Sequence, residues 1–200
     1  MKLVKEMVNG ATITRIIDEK YQYTCAYYSA NKWADENRVI LARTSSELTD
    51  DKAFYDDCCL VEIDVTTGEE KVVLDKKVNH YHYLVYGEKL YYVFEGEFRV
   101  KDLETGKDDF LCNEENVCML FITKDGRYIN FEKGPNADDD CECTVYDVET
   151  GEHYLAFKKS FNKPFKEADH MMMCPTNKDK IFFAHEGDTF YVSNRLWIWE

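Results

Sequence analysis

The sequence has few positive charges and no long apolar run. Its 25 lysines and arginines stand against 39 aspartates and glutamates, which gives a formal net charge of −14. Nucleic acids and anionic membrane surfaces bind clustered cations, so neither is expected as a partner. No stretch approaches the ~18 consecutive apolar residues of a membrane-spanning helix, and residues 1–7 lack the apolar core of a signal peptide. We therefore expect a cytoplasmic protein.

Several catalytic and metal-binding motifs are also missing. There is no glycine-rich phosphate loop, no Gly-x-Ser-x-Gly elbow and no cysteine–histidine pair in a recognisable context. The eight cysteines are scattered through strand-like segments, so free thiols are expected. The motif Cys141-x-Cys143 has no second pair at zinc-finger spacing, and Asp138–Asp140 does not match a calcium loop. No residue is therefore assigned as a metal ligand.

An internal repeat dominates what the sequence does contain. In each copy a short strand runs into an Asp-x-x-Thr-Gly turn, and the copies are Leu60–Gly68, Phe98–Gly106 and Cys143–Gly151. We expect the aspartate to cap the turn and the glycine to supply a positive φ, so that the chain reverses into a second strand. Successive turn glycines are 38 and 45 residues apart, close to the ~40–45 residues of a propeller blade.

A second hairpin accompanies the repeat, with two apolar runs flanking a polar turn. It occurs at Tyr81–Gly96, Val117–Gly134 and His170–Gly187. Aromatic and β-branched residues dominate these runs, and helical periodicity is poor. Two hairpins make four antiparallel strands per unit. The sequence therefore predicts an all-β fold, a β-propeller with about four blades of four antiparallel strands.

The ends of the chain bear on how the propeller closes. We expect one partial propeller domain over residues 1–200, with an N-terminal outer strand at 10–17. The blades are expected at about 22–76, 77–115, 116–160 and 165–200, and the last is incomplete because it lacks its outer strand. Either the N-terminal strand completes that blade and closes a small ring, or the chain belongs to a larger ring, which we favour. Open blade edges would then allow self-association.

Two of the five histidines lie on the opening hairpin of the last unit. His170 begins the predicted innermost strand, next to the central channel, and His185 ends the following strand, just before Glu186. Because an ordinary imidazole titrates near pH 6.5, such a side chain can remove a proton at neutral pH. A hydrogen-bonded structural role is the alternative for both residues.

The same segments resemble a known family. His170–Pro175, Ile181–Gly187 and Arg195–Trp199 are similar to parts of the oligogalacturonate lyases, and Asn9–Arg15 is similar to the start of that family. The Asp-x-x-Thr-Gly turns also recur there, so the resemblance covers nearly the whole chain. It implies part of a seven-bladed cytoplasmic propeller. It also implies β-elimination of short pectin-derived oligogalacturonates with a bound divalent metal, typically manganese.

The resemblance implies roles for three residues. His170 matches the catalytic base, which removes the C5 proton of a uronate. His185 lies on the same rim and would bind substrate, and Arg195 would meet a substrate carboxylate or support the blade. The family's metal ligands belong to later blades, so none is assigned in this chain. Glu142 stands where the family tends to carry an arginine, and its charge would repel an anionic sugar.

Two functions follow as hypotheses. The first is an oligogalacturonate lyase-like enzyme that acts on a small oligouronide, with impaired activity in the 200-residue chain because the later blades supply the metal ligands. The second is a noncatalytic β-propeller that binds a protein partner or a carbohydrate. A propeller hosts many functions, so the fold by itself does not decide between them.

Overall fold

The structure is a computed structural model that describes residues 4–9, 11–16, 18, 20–26, 30–44, 58–134, 140–160, 168–186 and 195–200. Its regular elements over these residues are all β-strands. In the described part of the chain, no helix is long and apolar enough to cross a membrane.

The strands follow one another at short intervals. They are β1 (Val4–Val8), β2 (Ala11–Arg15), β3 (Tyr23–Cys25), β4 (Arg38–Thr44), β5 (Cys58–Asp64), β6 (Glu70–Leu74), β7 (Tyr83–Tyr86), β8 (Lys89–Phe94), β9 (Glu97–Asp102), β10 (Asp108–Asn113), β11 (Val117–Ile122), β12 (Tyr128–Lys133), β13 (Asp140–Asp147), β14 (His153–Ser160), β15 (Ala168–Cys174), β16 (Asn177–His185) and β17 (Leu196–Trp199).

The strands form sheets in which neighbours in sequence are neighbours in space. Three sheets have four strands each, in the orders β3-β4-β5-β6, β7-β8-β9-β10 and β11-β12-β13-β14. A further sheet has the three strands β15-β16-β17, and β1 pairs with β2 alone. This repetition of antiparallel four-stranded meanders confirms the predicted all-β fold built from propeller blades. The last blade has its first three strands within the described residues.

The N-terminal hairpin contains a strand that the sequence analysis did not predict. The range 10–17, where an outer blade strand is expected, contains β2, which pairs with β1 in a register that joins Val4 to Arg15 and Val8 to Ala11. Its place as the outer strand of a blade stays a prediction. The connecting dipeptide is Asn9-Gly10, and Asn9 has a φ of 50°. Asn-Gly is a strong signal for a two-residue hairpin, because both turn positions favour positive φ.

The three repeated turns have the geometry that the sequence predicts. In the first, Asp64 Oδ1 accepts hydrogen bonds from the N–H groups of Thr66 and Thr67 at 2.7 and 2.9 Å. The Thr66 hydroxyl also donates to Asp64, and this bond, together with the two N–H bonds, lowers the pKa of the Asp64 carboxyl. Gly68, Gly106 and Gly151 each have a φ of 76°. A side chain at such a φ is strained, which explains the glycine at this position of every repeat.

The chain divides into two compact units, residues 1–94 with 99–109, and residues 95–98 with 110–200. Buried residues of β4 and β5 form a core cluster in the first unit: Val39, Cys59, Val61 and Ile63. The second unit has a cluster drawn from β13 to β16: Cys141, Cys143, Val145, Phe157, Ala168, Met171, Met173, Ile181 and Phe183. All eight cysteines lie in the described residues, and none of them forms a disulfide. The thiols of Cys141 and Cys143 lie in this core and serve as small apolar side chains.

Candidate functional site

His170 lies in a bulge of β15. Asp169 pairs with β16, and regular pairing resumes at Met172, so His170 and Met171 fall outside the ladder. His170 has a φ of 59°, a left-handed conformation that costs a residue with a β-carbon roughly 1–3 kcal/mol unless its surroundings hold it. Its N–H donates to Oδ1 of Asp169 at 2.8 Å. Bulges of this kind turn a side chain out of the regular alternation of the strand.

Two polar side chains of β12 replace the hydrogen bonds that the bulge gives up. Glu132 Oε2 accepts the N–H of Met171 at 2.7 Å. Asn130 donates to the Met171 carbonyl at 2.9 Å and accepts the N–H of Met173 at 3.2 Å. Asn130 and Glu132 are two residues apart on one strand and therefore share a face. Both side chains are buried, so these hydrogen bonds satisfy the polar groups of Asn130 and Glu132 together with the backbone groups of β15 that they contact.

Beneath His170, two carboxyl groups form a hydrogen-bonded pair. Burial and the neighbouring Asp169 carboxylate raise the pKa of Glu132 to about 10. Burial by itself would raise the pKa of Asp169 as well, but the hydrogen bonds from Glu132 and from the His170 N–H lower it below its usual value. At neutral pH the pair therefore shares one proton, which stays on Glu132. The protonated Glu132 carboxyl donates a hydrogen bond to the ionised Asp169.

Both nitrogens of the His170 ring face a carboxylate. Nδ1 lies 3.7 Å from Asp169 Oδ1, and Nε2 lies 3.6 Å from Glu186 Oε1. These distances are too long for direct hydrogen bonds but short enough for a charge interaction once the ring carries a proton on both nitrogens. The His170 side chain is 23% exposed, so a ligand can reach the ring. Glu186 in turn accepts a hydrogen bond from Arg195 Nη2 at 2.6 Å.

His185 and Arg195 are joined through their backbones at the ends of β16 and β17. The His185 N–H donates to the Arg195 carbonyl at 2.7 Å, and the His185 carbonyl accepts a long contact of 3.5 Å from Arg195 Nε. His185 also pairs with Ala168 at the start of β15. The sheet thus fixes the position of Arg195, and Glu186 links its guanidinium to the His170 ring.

The structure brings together more residues than the sequence analysis named. His170 and Arg195 meet through Glu186, which the sequence analysis mentioned only as a neighbour of His185. Glu132 and Asp169 were missed entirely. A signal for Glu132 was present, because polar residues at alternate positions of the otherwise apolar β12 must find buried partners. The catalytic and substrate-binding roles of His170, His185 and Arg195 remain predictions.

The residues of this site do not fit the manganese ion that the family resemblance implies. Among the residues that the structure describes, no group of three or more histidine, cysteine, aspartate or glutamate side chains could hold a metal. No step of the chemistry is therefore derived through a metal at this site.

Glu142, expected to repel an anionic sugar, lies beside cations of its own sheet. Lys158 Nζ is 3.6 Å from Glu142 Oε1 and 2.8 Å from Asp140 Oδ2. The register of β13 and β14 places Glu142 directly opposite Lys158. The lysine partly offsets the negative charge, so the repulsion is smaller than the sequence alone suggests.

A polar cavity of about 730 Å³ lies in the first unit beside β4, β5 and β6. Its charges are largely paired within the wall. Glu70 accepts hydrogen bonds from the Tyr23 hydroxyl at 2.7 Å and from Arg43. The Arg43 guanidinium also lies 4.2 Å from the centre of the Tyr21 ring. Arg43 Nε is buried without a hydrogen-bond partner, but the other charges of Arg43 and Glu70 are paired, so the wall does not indicate a particular ligand.

Comparison with known proteins identifies the fold. No protein-family model and no curated protein matched the sequence. Among solved structures, an oligogalacturonate lyase in complex with manganese matches with a TM-score of 0.74 and 15% identity, covering 99% of this chain and 57% of that one. An oligogalacturonate lyase from Vibrio parahaemolyticus matches with the same values. TolB from Acinetobacter baumannii has a TM-score of 0.60 and 15% identity, covering 94% of this chain and 42% of that one.

These similarities establish the class of the protein as a β-propeller. At 15% identity they show the fold alone. The chain spans 57% of the length of the oligogalacturonate lyases that it matches. The lyase and TolB are proteins of different kinds, so the chemistry of the chain has to be argued from its own residues.

Proposed function

We propose that the protein is an oligogalacturonate lyase-like enzyme that cleaves short uronate oligosaccharides by β-elimination. The observation that carries the proposal is the partly exposed His170 ring beside the Glu186–Arg195 ion pair. His170 Nε2 lies 3.6 Å from Glu186 Oε1, and Glu186 Oε2 lies 2.6 Å from Arg195 Nη2. A base next to a guanidinium is what the removal of a proton beside a carboxylate requires. The similarity to two lyase structures over 99% of the chain supports it.

In the proposed reaction, His170 Nε2 takes the proton from C5 of a uronate. The electron pair of that C–H bond forms the C4=C5 double bond, and the C4–O bond to the leaving sugar breaks. The released oxygen takes up a proton from solvent. The imidazolium that forms lies between two carboxylates, Asp169 and Glu186, which stabilise its charge.

Arg195 would bind the uronate carboxylate and stabilise the charge that develops next to it. A guanidinium has five N–H donors in a planar fork. Glu186 takes a donor on Nη2, and the His185 carbonyl faces Nε. The remaining donors can receive a substrate carboxylate, so Arg195 would hold Glu186 and the substrate at once. His185 would contribute through the backbone that positions this arginine.

The test uses the full-length protein, digalacturonate and manganese, with the ultraviolet absorbance of the unsaturated product as the signal. His170→Ala should lower kcat by a factor of about 10²–10⁴, the usual contribution of a general base. His153→Ala is the matched control, because His153 is an exposed histidine of β14, and its activity should be unchanged. A wild-type protein without product, or equal rates for wild type and His170→Ala, would refute the proposal.

A noncatalytic propeller that binds a protein or a carbohydrate is the second candidate. The observation in its favour is that Glu186 already neutralises Arg195 at 2.6 Å, so a substrate carboxylate would meet a paired guanidinium. This candidate predicts no product in the assay above. It also predicts either a thermal shift with one sugar of a carbohydrate panel, without turnover, or saturable binding of a single protein partner. Neither result should depend on His170.

A further inference from the structure

The Asp169 carboxylate and the His170 ring meet at two points. Asp169 Oδ1 accepts the backbone N–H of His170 at 2.8 Å and also faces its Nδ1 at 3.7 Å. One oxygen therefore holds the backbone of His170 by a hydrogen bond and also lies close to the ring, at a distance longer than a hydrogen bond. We infer that Asp169 and Glu132 are positioning residues for His170: Asp169 orients the ring through Nδ1, and Glu132 holds Asp169 in place. The inference rests on the proposed function for its consequence in catalysis.

The two carboxylates around the ring are not equivalent. Glu186 is paired with the Arg195 guanidinium at 2.6 Å, which offsets its charge. Asp169 is held by hydrogen bonds from Glu132 and the His170 backbone. Asp169 therefore keeps more of its negative charge than Glu186 and attracts the ring proton more strongly. Because Asp169 faces Nδ1, the neutral imidazole carries its proton on Nδ1. Nε2 then has a lone pair and can act as the base.

Glu132 keeps the charge of the site on Asp169. Two ionised carboxylates in contact would repel each other, and one of them must stay protonated. Glu132 is only 2% exposed, whereas the side chain of Asp169 is 35% exposed. The proton therefore resides on the more buried glutamate. A protonated Glu132 can donate to Asp169 while its other oxygen accepts the Met171 N–H.

Among the described residues, two thiols also lie near the pair. Cys118 of β11 faces both carboxyl groups, and burial raises its pKa to about 11. Cys143 of β13 faces Glu132, and burial raises its pKa well above the usual range. Neither thiol competes for the proton near pH 7. With Glu186 on the far side of the ring, Asp169 and Glu132 are the groups that set the orientation of His170.

The decisive variant is Asp169→Asn, which keeps an oxygen for the His170 N–H and removes the charge. Asp179→Asn is the control, because Asp179 is an exposed aspartate of the same sheet, 67% accessible and paired with Lys178. We expect Asp169→Asn to lower kcat on digalacturonate about tenfold to a hundredfold, part of the range for a general base. KM should change less than twofold. Glu132→Leu, which removes the hydrogen bond to Asp169, should also lower kcat, and the conservative Glu132→Gln should recover most of that loss, because an amide can make both hydrogen bonds.

A readout independent of activity is the ¹⁵N–¹H spectrum of the histidine rings, with His170 assigned by its loss in His170→Ala. The wild-type ring should carry its proton on Nδ1, and Asp169→Asn should shift the population toward Nε2–H. Unchanged kcat and unchanged tautomer in folded Asp169→Asn would overturn the inference and leave the lyase proposal intact. A wild-type protein that is inactive but shows the tautomer change would overturn the lyase proposal and support the positioning role.

Discussion

The protonated state of Glu132 makes a direct prediction about stability and pH. The side chain is 2% exposed, and burial together with Asp169 raises its pKa to about 10. Glu132→Gln mimics the protonated acid in shape and in hydrogen bonding. The variant should therefore fold like the wild type, but it cannot lose the proton. A comparison of the two proteins isolates the titration of this one group.

The sign follows from the proton count of each state. Between the unfolded pKa of about 4.5 and the folded pKa of about 10, folded protein binds a proton at Glu132 that unfolded protein has released. The stabilisation from this group is fully present below pH 4.5 and is lost as the pH rises through 10. Within this window the loss is at most about 1.4 kcal/mol per pH unit. From pH 6 to pH 8 the wild type should lose up to about 3 kcal/mol relative to Glu132→Gln.

The assay is urea unfolding followed by tryptophan fluorescence at pH 6, 7 and 8, with thermal unfolding as a second measurement. For a chain of this size, the predicted difference corresponds to a shift in Tm of about 5–10 °C. Glu152→Gln is the control, because Glu152 is exposed, and its difference from wild type should not vary with pH in this range. A difference between wild type and Glu132→Gln that stays constant from pH 6 to pH 8 would show that Glu132 is ionised and refute the reasoning.

Three further predictions concern packing, turns and a buried ion pair. Phe131→Ala should lower the free energy of unfolding by about 3–5 kcal/mol, because Phe131 is fully buried. The control Phe110→Ala, at a side chain that is 50% exposed, should change it by less than about 0.5 kcal/mol. Equal effects of the two variants in urea unfolding would contradict the assigned core. Gly106→Ala should lower the free energy of unfolding by about 1–2 kcal/mol. The space for a β-carbon is open, so the cost comes from the φ of 76°, which strains a residue with a side chain. An unchanged midpoint of urea unfolding would contradict that strain. Lys133→Met should lower the free energy of unfolding by about 3–5 kcal/mol, because Glu114, which lies 2.6 Å from Lys133 Nζ and is 2% exposed, loses its cation. The double variant with Glu114→Leu should recover most of that loss. A double variant no more stable than Lys133→Met would refute this explanation.

The fold was predictable because its determinants are local and repeated. An Asp-x-x-Thr-Gly turn specifies its own geometry within five residues, as the bonds to Asp64 and the φ of Gly68 show. Alternating apolar strands between such turns leave few arrangements other than antiparallel meanders. The hairpin of β1 and β2 was missed although Asn9-Gly10 is a strong local signal.

The site was predictable only in part. Sequence reasoning named His170 and His185 from their positions on the last hairpin, and Arg195 from the family resemblance. In the structure, Glu186 lies between His170 and Arg195. Sequence reasoning did not find Glu132, which is 37 residues from Asp169 in the sequence. Contacts between different sheets have no periodicity in the sequence, so no local pattern announces them.

The sequence by itself determined the blade repeat, the turns and the residues from which a base could be chosen. Only the tertiary structure decided how the His170 side chain is held. The packing of β12 against the bulge of β15 buries Glu132 beside Asp169, changes which carboxyl carries the proton, and gives His170 its left-handed backbone. A pKa and a strained conformation depend on burial and on charges brought together from distant parts of the chain, and these exist only after folding.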